Sequence, residues 1–571
     1  MKDVTPCQLV ASLSIILLAP CGIMAAEEPG IPVTNKLVIQ KCGSCHAADS
    51  AGDLSRISWI RTTPEGWEEV IKRMVRLNHV TLTQSEAREI LDYLATDHGL
   101  APEEAKPVMY FAERRMPDET IPEPVKDVCD ACHQYGKAAS WRRSKEEWDL
   151  LYQMHLGYFP SSQMTTFMRP PAPPGSPPPA SGADMREPYQ KALDYLKTAF
   201  PLYTPEWAAF HTTIQGAKVI GRWLVAAYKP GEGVYYGEMS VAETAEPSIY
   251  TTQTHLVSAN NGAVITRTGK VAVYEGYAWR GRSDSKDSGA GPEAATNVRE
   301  AMILSRDQSQ AEGRWMWGDY QEFGYEVKMY RAKPGLTILG LNTASLKSDS
   351  THTVQIFGDG FSSSLKPADI DLGNGISVSK ISHLSRSQIT VELAVAKSAP
   401  PGKRDVAISG TVLPAAVTVY DHIDYIKISP DTGLSRLGGG THAKGYVQFE
   451  AIGYLNGPDG KPNTADDVTL GAFRAQWSMK EFYATYGDDD IKYVGALNSE
   501  TGLFTPSIDG PNPKRRFSRN NYGDVWVEAQ VDRDLPPAKV AGDTPKPLVA
   551  RSYLVVAIPQ YLRYDQPEVA P

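Results

Sequence analysis

Apolar residues change their spacing along this chain. A largely apolar run, Leu9–Leu18, lies near its start. Up to about residue 206 the spacing is helical. Pro64-Glu65-Gly66-Trp67-Glu68-Glu69 and Ser144-Lys145-Glu146-Glu147-Trp148-Asp149 each begin an amphipathic helix, and Ile90–Thr96 and Ala192–Thr198 read as later helices. Beyond Trp207 the period falls to two. Short β-branched and aromatic runs such as Val234–Met239, Lys270–Tyr274 and Tyr325–Tyr330 alternate with Gly and Pro turns. Further short strands follow at Val354–Phe361, Ile370–Gly373, Ile389–Leu393, Arg404–Ile408 and Ala416–Tyr420. The pattern predicts a multidomain protein: an all-α region, then all-β domains. These are a small antiparallel β-barrel over 207–335 and two immunoglobulin-like sandwiches over 336–421 and 422–571. The tryptophans of the barrel segment read as its core.

The first apolar run changes the picture of where the chain works. Lys2, the apolar stretch and Met24-Ala25-Ala26 form a signal peptide over 1–26, cleaved near Ala26, which places the mature protein in the periplasm. The run is too short to span a bilayer and no later stretch approaches that length, so no membrane span is expected. Pro20 before Cys21 argues against a lipid anchor there. The 571 residues carry 58 basic and 67 acidic side chains, a net charge of -9, at a mean hydropathy of -0.33. The two signs are interspersed with no basic block, which excludes nucleic acid as a partner. With 42% hydrophobic residues the chain is neither fibrous nor wholly disordered.

Six cysteines are too few for a disulfide scaffold in a chain this long. Cys7 and Cys21 leave with the leader. The other four form Cys42-Gly-Ser-Cys45-His46 and Cys129-Asp-Ala-Cys132-His133. C-x-x-C-H is the attachment signature of c-type haem. Each thiol adds to one vinyl group, two intervening residues let both reach across the macrocycle edge, and the adjacent histidine supplies the proximal nitrogen. A zinc site or a redox pair explains the cysteines but not a histidine after both. Two covalently bound haems are therefore expected.

The two motifs head a repeat, with Trp67 and Trp148 as its common landmark. Both late helices resemble the C-terminal helix of a cytochrome c fold, giving cytochrome c-like units at 27–107 and 108–206. Aligned on the tryptophans, Met74 and His155 are the expected sixth ligands, so the axial pairs are His46 with Met74 and His133 with His155. Rivals are His79 for the first haem and Met154, Met164 or Met168 for the second. The second unit is longer, chiefly through the Pro-rich segment Arg169–Ala180. Such a segment is extended or irregular, and a loop of this length closes at small entropic cost.

The β domains offer no catalytic constellation, so no catalytic residue is assigned. His98, His211, His255, His352, His383, His422 and His442 read as structural. The loop over 456–467 gathers Asn456, Asp459, Asn463, Asp466 and Asp467. Calcium uses such oxygens, but the Glu and flanking helices of an EF-hand are missing, and a solvated turn is the default.

The order of parts, with Trp223-Leu-Val-Ala-Ala-Tyr-Lys-Pro-Gly-Glu-Gly233 in the barrel, resembles the α subunit of quinohemoprotein amine dehydrogenase over essentially the whole mature chain. The resemblance implies the dihaem subunit of a periplasmic heterotrimer. Its partners are a β-propeller subunit and a small subunit bearing cysteine tryptophylquinone, which oxidises primary amines to aldehydes. It also implies that this chain passes electrons from the quinone to a copper protein or cytochrome c, and that one bis-His haem accompanies one His/Met haem. A thioether ligand raises the haem potential, which favours flow from the second haem to the first. Alternatives are a dihaem peroxidase-like enzyme, which needs an open iron position, a dihaem subunit of another periplasmic dehydrogenase, or a scaffold protein carrying haem units.

Overall fold

A computed structural model describes residues 28–115, 119–286, 291–516, 519–532, 546–561 and 569–571. The expected leader lies outside them. Helices come first: α1 (Lys36–Cys42), α2 (Pro64–Asn78), α3 (Gln84–Asp97), α4 (Pro102–Ala105), α5 (Met109–Ala112), α6 (Gly136–Ala139), α7 (Lys145–Tyr158), α8 (Pro188–Ala199) and α9 (Pro205–His211). Among the described residues no helix is long and apolar enough to cross a membrane.

The repeat is visible in three dimensions. Thr63 caps α2 and Ser144 caps α7, each accepting a backbone N–H in the first turn. Trp67 and Trp148 are both buried, and each donates its indole N–H to the carbonyl that caps a late helix. Trp67 reaches His98 at the end of α3 (2.9 Å), and Trp148 reaches Phe200 at the end of α8 (3.0 Å). The region is not purely helical. Strand β1 (Ile60–Thr62) precedes α2 and pairs antiparallel with β2 (Trp141–Arg143), which precedes α7. Arg61 lies opposite Arg142 at the centre of this ribbon, which relates the two units by a local two-fold axis.

That centre is charged and buried. The Arg61 guanidinium donates to both oxygens of Glu104 (2.8 and 3.1 Å), and Arg142 Nε donates to Glu104 Oε1 (3.0 Å). Thr204 Oγ1 and the Ala101 amide complete the carboxylate's partners. Arg61 also bonds the carbonyls of Gly99 and Leu202, so it ties the ends of both units together. Trp207 covers Arg61 and Phe200 covers Arg142.

The helices end later than the change of texture at Trp207 suggests, because α9 runs on to His211. A closed antiparallel barrel follows: β3 (Gly221–Lys229), β4 (Gly233–Glu243), β5 (Ile249–Ser258), β6 (Val264–Tyr274), β7 (Ala278–Asp284), β8 (Asn297–Leu304), β9 (Gln310–Trp317) and β10 (Phe323–Arg331). Pairing of β10 with β3 closes it and leaves no free edge. Trp223, Trp279 and Trp315 are fully buried in it. One apolar cluster runs from Val38, Trp67 and Trp148 into these tryptophans, so the helical region and barrel share a core. Buried polar contacts stitch them further. Glu65 at the start of α2 pairs with Arg280 of β7, Tyr277 OH donates to the Leu100 carbonyl (2.9 Å), and Arg314 donates to that of Glu113 (3.0 Å). Gly99 has no Cβ where the Glu275 carboxylate presses against it.

The block over 336–421 is two four-stranded sheets around one apolar core that includes Leu346, Ile356, Val391 and Val419. It contains a strand that the pattern did not predict, Ile376–Leu384, whose side chains are mostly half-buried or exposed. The last block departs from a two-sheet sandwich: its described residues form three sheets around Phe449, Trp477, Phe504 and Val527.

Burial works against the Glu104 charge, but Arg61 and then Arg142 outweigh it and hold the carboxyl below its ordinary 4.5. Its contribution is therefore complete above pH 4.5 and fades as pH falls through the folded value. Glu104→Ala leaves two buried arginines uncompensated, with an expected cost of about 3–5 kcal/mol. Native-state hydrogen exchange of the intact chain should show that loss at the β1 and β2 amides and little at the barrel. Unchanged ribbon protection would contradict the role given to Glu104.

Candidate functional site

The first motif begins at the end of α1. Asn35 caps this helix, Cys42 is its last residue, and the Cys42 carbonyl accepts from the amides of Cys45 (3.1 Å) and His46 (2.9 Å). The motif is thus a compact turn that keeps Cys42 half-buried and Cys45 exposed. The second motif is not carried by a helix. Only the short turn Glu123–Val125, capped by Pro122, precedes it. Cys129 is half-buried and Cys132 exposed, as in the first copy. Burial pushes the Cys129 thiol up to about 12 and raises that of Cys42.

Three histidines share one orientation device. His46 Nδ1 bonds the Ser55 carbonyl (2.8 Å), His133 Nδ1 that of Gln134 (3.0 Å), and His155 Nδ1 that of Leu151 (2.9 Å). A carbonyl only accepts, so each Nδ1 carries the proton and each Nε2 keeps its lone pair. This is how a histidine ligand is usually oriented toward a metal. Burial also holds His133 and His155 below their usual range, so both rings stay neutral, the form that binds iron. The two rings lie within electrostatic reach of each other.

Met74 sits half-buried in the last turns of α2, where Asn78 Nδ2 approaches its sulfur at 3.6 Å. His79 follows as the exposed, left-handed cap of the same helix. Among the rivals for the second unit, Met154 already accepts from Arg73 (3.7 Å), Met164 is 85% exposed, and Met168 lies beyond the short turn Gln163–Phe167. Exposed apolar side chains gather on the same elements: Ile39 on α1, Val75 and Leu77 on α2, and Tyr158 and Phe159 at the end of α7. Paired thiols, Nε2-free histidines and these apolar surfaces form a donor set and lining that fit covalently held haem.

Four family models match the chain. Residues 33–170 match "Quinohemoprotein amine dehydrogenase A, alpha subunit, haem binding", and residues 216–332, 336–421 and 426–569 match domains II, III and IV of the same alpha subunit. The chain belongs to the quinohemoprotein amine dehydrogenase alpha-subunit family. As a haem-binding alpha subunit of a multi-subunit oxidoreductase, it is an electron-transfer subunit. No curated protein matches this sequence. Solved structures similar to parts of it include a redesigned β-barrel (13% identity, 20% of this chain and 92% of that one, TM-score 0.17). A human protocadherin-24 EC1-2 fragment is another (10% identity, 40% and 98%, TM-score 0.15). At such scores the likeness says nothing about this alpha subunit.

Other sequence candidates resolve into local structure. In the 456–467 loop of the alpha subunit, Asp467 accepts from the amides of Thr464 and Gly457 and from Tyr425, and Asp466 accepts from Thr464 and the Asp459 amide. Its carboxylates thus close a turn. Glu481, Asp488 and Asp490 do converge, but Arg515 and Arg519 pair with the two aspartates. The residues that pattern reading missed are the charged ones between the units: Arg61, Arg142 and Glu104, the Glu69–Lys137 pair (2.9 Å), and Arg73. A signal existed for Arg61 and Arg142, which fall at the same place in the tryptophan-aligned repeat.

His98 is fully buried, with Nε2 facing the Ile31 carbonyl at 3.3 Å. Burial, with smaller effects from His211 and Arg61, lowers it to about 4. The unfolded chain takes up a proton below 6.5 and the folded one only near 4, so stability falls as pH drops through that window. The expected loss is about 3 kcal/mol. Denaturant midpoints measured from pH 7 to 4 should show it, and His98→Gln should flatten the dependence. An equal slope in the variant would show that other groups cause it.

Proposed function

We propose that this chain is the dihaem electron carrier of a periplasmic amine dehydrogenase, exported with its leader cleaved near Ala26. Cys42 and Cys45 hold one c-type haem and Cys129 and Cys132 the other. His46 with Met74, and His133 with His155, are the axial ligands. The observation that carries the reading is the Nδ1-to-carbonyl contact shared by His46 and His133, on both C-x-x-C-H turns, and by His155 on α7. The haems, when bound, supply one-electron redox chemistry. The chain's own residues orient the imidazoles through backbone carbonyls, keep His133 and His155 neutral by burial, and hold both units in fixed relation through Glu104.

In this reading the amine chemistry belongs to a cysteine tryptophylquinone on a small partner subunit, in a heterotrimer completed by a β-propeller subunit. Electrons leave to a copper protein or cytochrome c. A reduced quinone holds two electrons and such acceptors take one, so two carriers suit the task. The units 27–107 and 108–206 are the cytochrome c-like modules, followed by the barrel and, at 336–421, an immunoglobulin-like domain.

Gentle purification of the complex from amine-grown cells, with redox-cycling stain and mass spectrometry, should reveal a small quinone-positive subunit beside this chain carrying two haems. A dihaem chain that never co-purifies with a quinone partner would remove the amine substrate. Within the chain, His155→Ala should turn one haem from six-coordinate low-spin to high-spin, and Met74→Ala should do so for the other. Redox titration of the wild type, with haems assigned through these variants, should place the second haem at the lower potential. The reverse order would show that burial and charge outweigh the axial ligands.

A further inference from the structure

The residue before each proposed sixth ligand touches its counterpart in the other unit. Arg73 precedes Met74 on α2, and Met154 precedes His155 on α7. The ribbon register that sets Arg61 opposite Arg142 makes Arg73 and Met154 equivalent positions. Arg73 Nη1 donates to Met154 Sδ at 3.7 Å, in a half-buried setting. The contact joins α2 and α7 one residue before each proposed distal ligand. One turn earlier on the same face of α2, Glu69 reaches across to Lys137 (2.9 Å), which follows His133 by one turn. The charges acting on His155 include Arg143, Lys137 and Arg73, and those acting on His133 include Lys137 and Glu69. Arginine stays charged at every working pH, so its field is constant.

Building on the dihaem reading above, we propose that Arg73 is a positioning residue whose charge is shared by both haems, raising the potential of each. A fixed cation disfavours the extra positive charge of a ferric centre and favours the ferrous one. The effect on the second haem opposes the lowering expected of bis-histidine ligation.

The test is a spectroelectrochemical titration of the full-length, haem-loaded chain and of Arg73→Gln, Arg73→Lys and Met154→Leu. Arg73→Gln should shift the one-electron equilibrium of both haems toward the ferric form by roughly three- to tenfold. Arg73→Lys should restore most of that shift. Met154→Leu, which removes the sulfur acceptor but keeps the charge, should move either haem less than Arg73→Gln does. If Arg73→Gln fails to load haem, Arg73→Met, which keeps the apolar stem, takes its place. Unchanged potentials in a fully loaded, low-spin variant would overturn the proposal, and so would a shift confined to one haem. Absence of covalent haem from the wild-type chain would instead overturn the dihaem reading itself.

Discussion

Glu104 carries the negative charge on which two buried arginines depend. Arg61 and Arg142 come from opposite units, and neither is exposed enough to be satisfied by water. Removing the carboxylate would set two cations against each other at the centre of the ribbon. With it, the ribbon closes, α2 and α7 start from a common point, and the residues farther along those helices fall at matched places. The proposed distal ligands inherit their relation from this centre. In the proposed reading each C-x-x-C pair would hold its haem, and the helices that rise from the ribbon would supply the second ligand.

The barrel holds this pair from outside. It shares its apolar core with the helices, and the Glu65–Arg280 pair fixes the start of α2 to a strand that cannot fray at an edge. The two helical units are thereby mounted on a closed, tryptophan-filled scaffold. Rigid mounting suits electron transfer, where little should reorganise between oxidation states.

Much of this was legible in the residues. Paired thiols with a following histidine announce their chemistry, and Trp67 and Trp148 align the two units because each seals the end of a late helix. Alternation of apolar side chains marked the barrel strands, whose inner face is buried. What escaped had physical reasons. Three-residue strands such as Ile60–Thr62 are too short to show a period. The half-buried strand Ile376–Leu384 has little apolar contrast to read. Glu104, distant in sequence from Arg142, carries no local sign that it will meet it. The third sheet of the last block likewise depends on pairings between distant segments, which no local pattern specifies.

The two-fold relation of the units also bears on direction. A conductor whose halves are identical passes current equally well either way, because nothing in it distinguishes entrance from exit. In the proposed reading vectorial flow would therefore arise where the halves differ, as in methionine against histidine, arginine against methionine one residue earlier, a helix leading into the first C-x-x-C-H alone, and a proline-rich insertion on one side. A shared plan would supply the wire, and the differences between its halves would give it a direction.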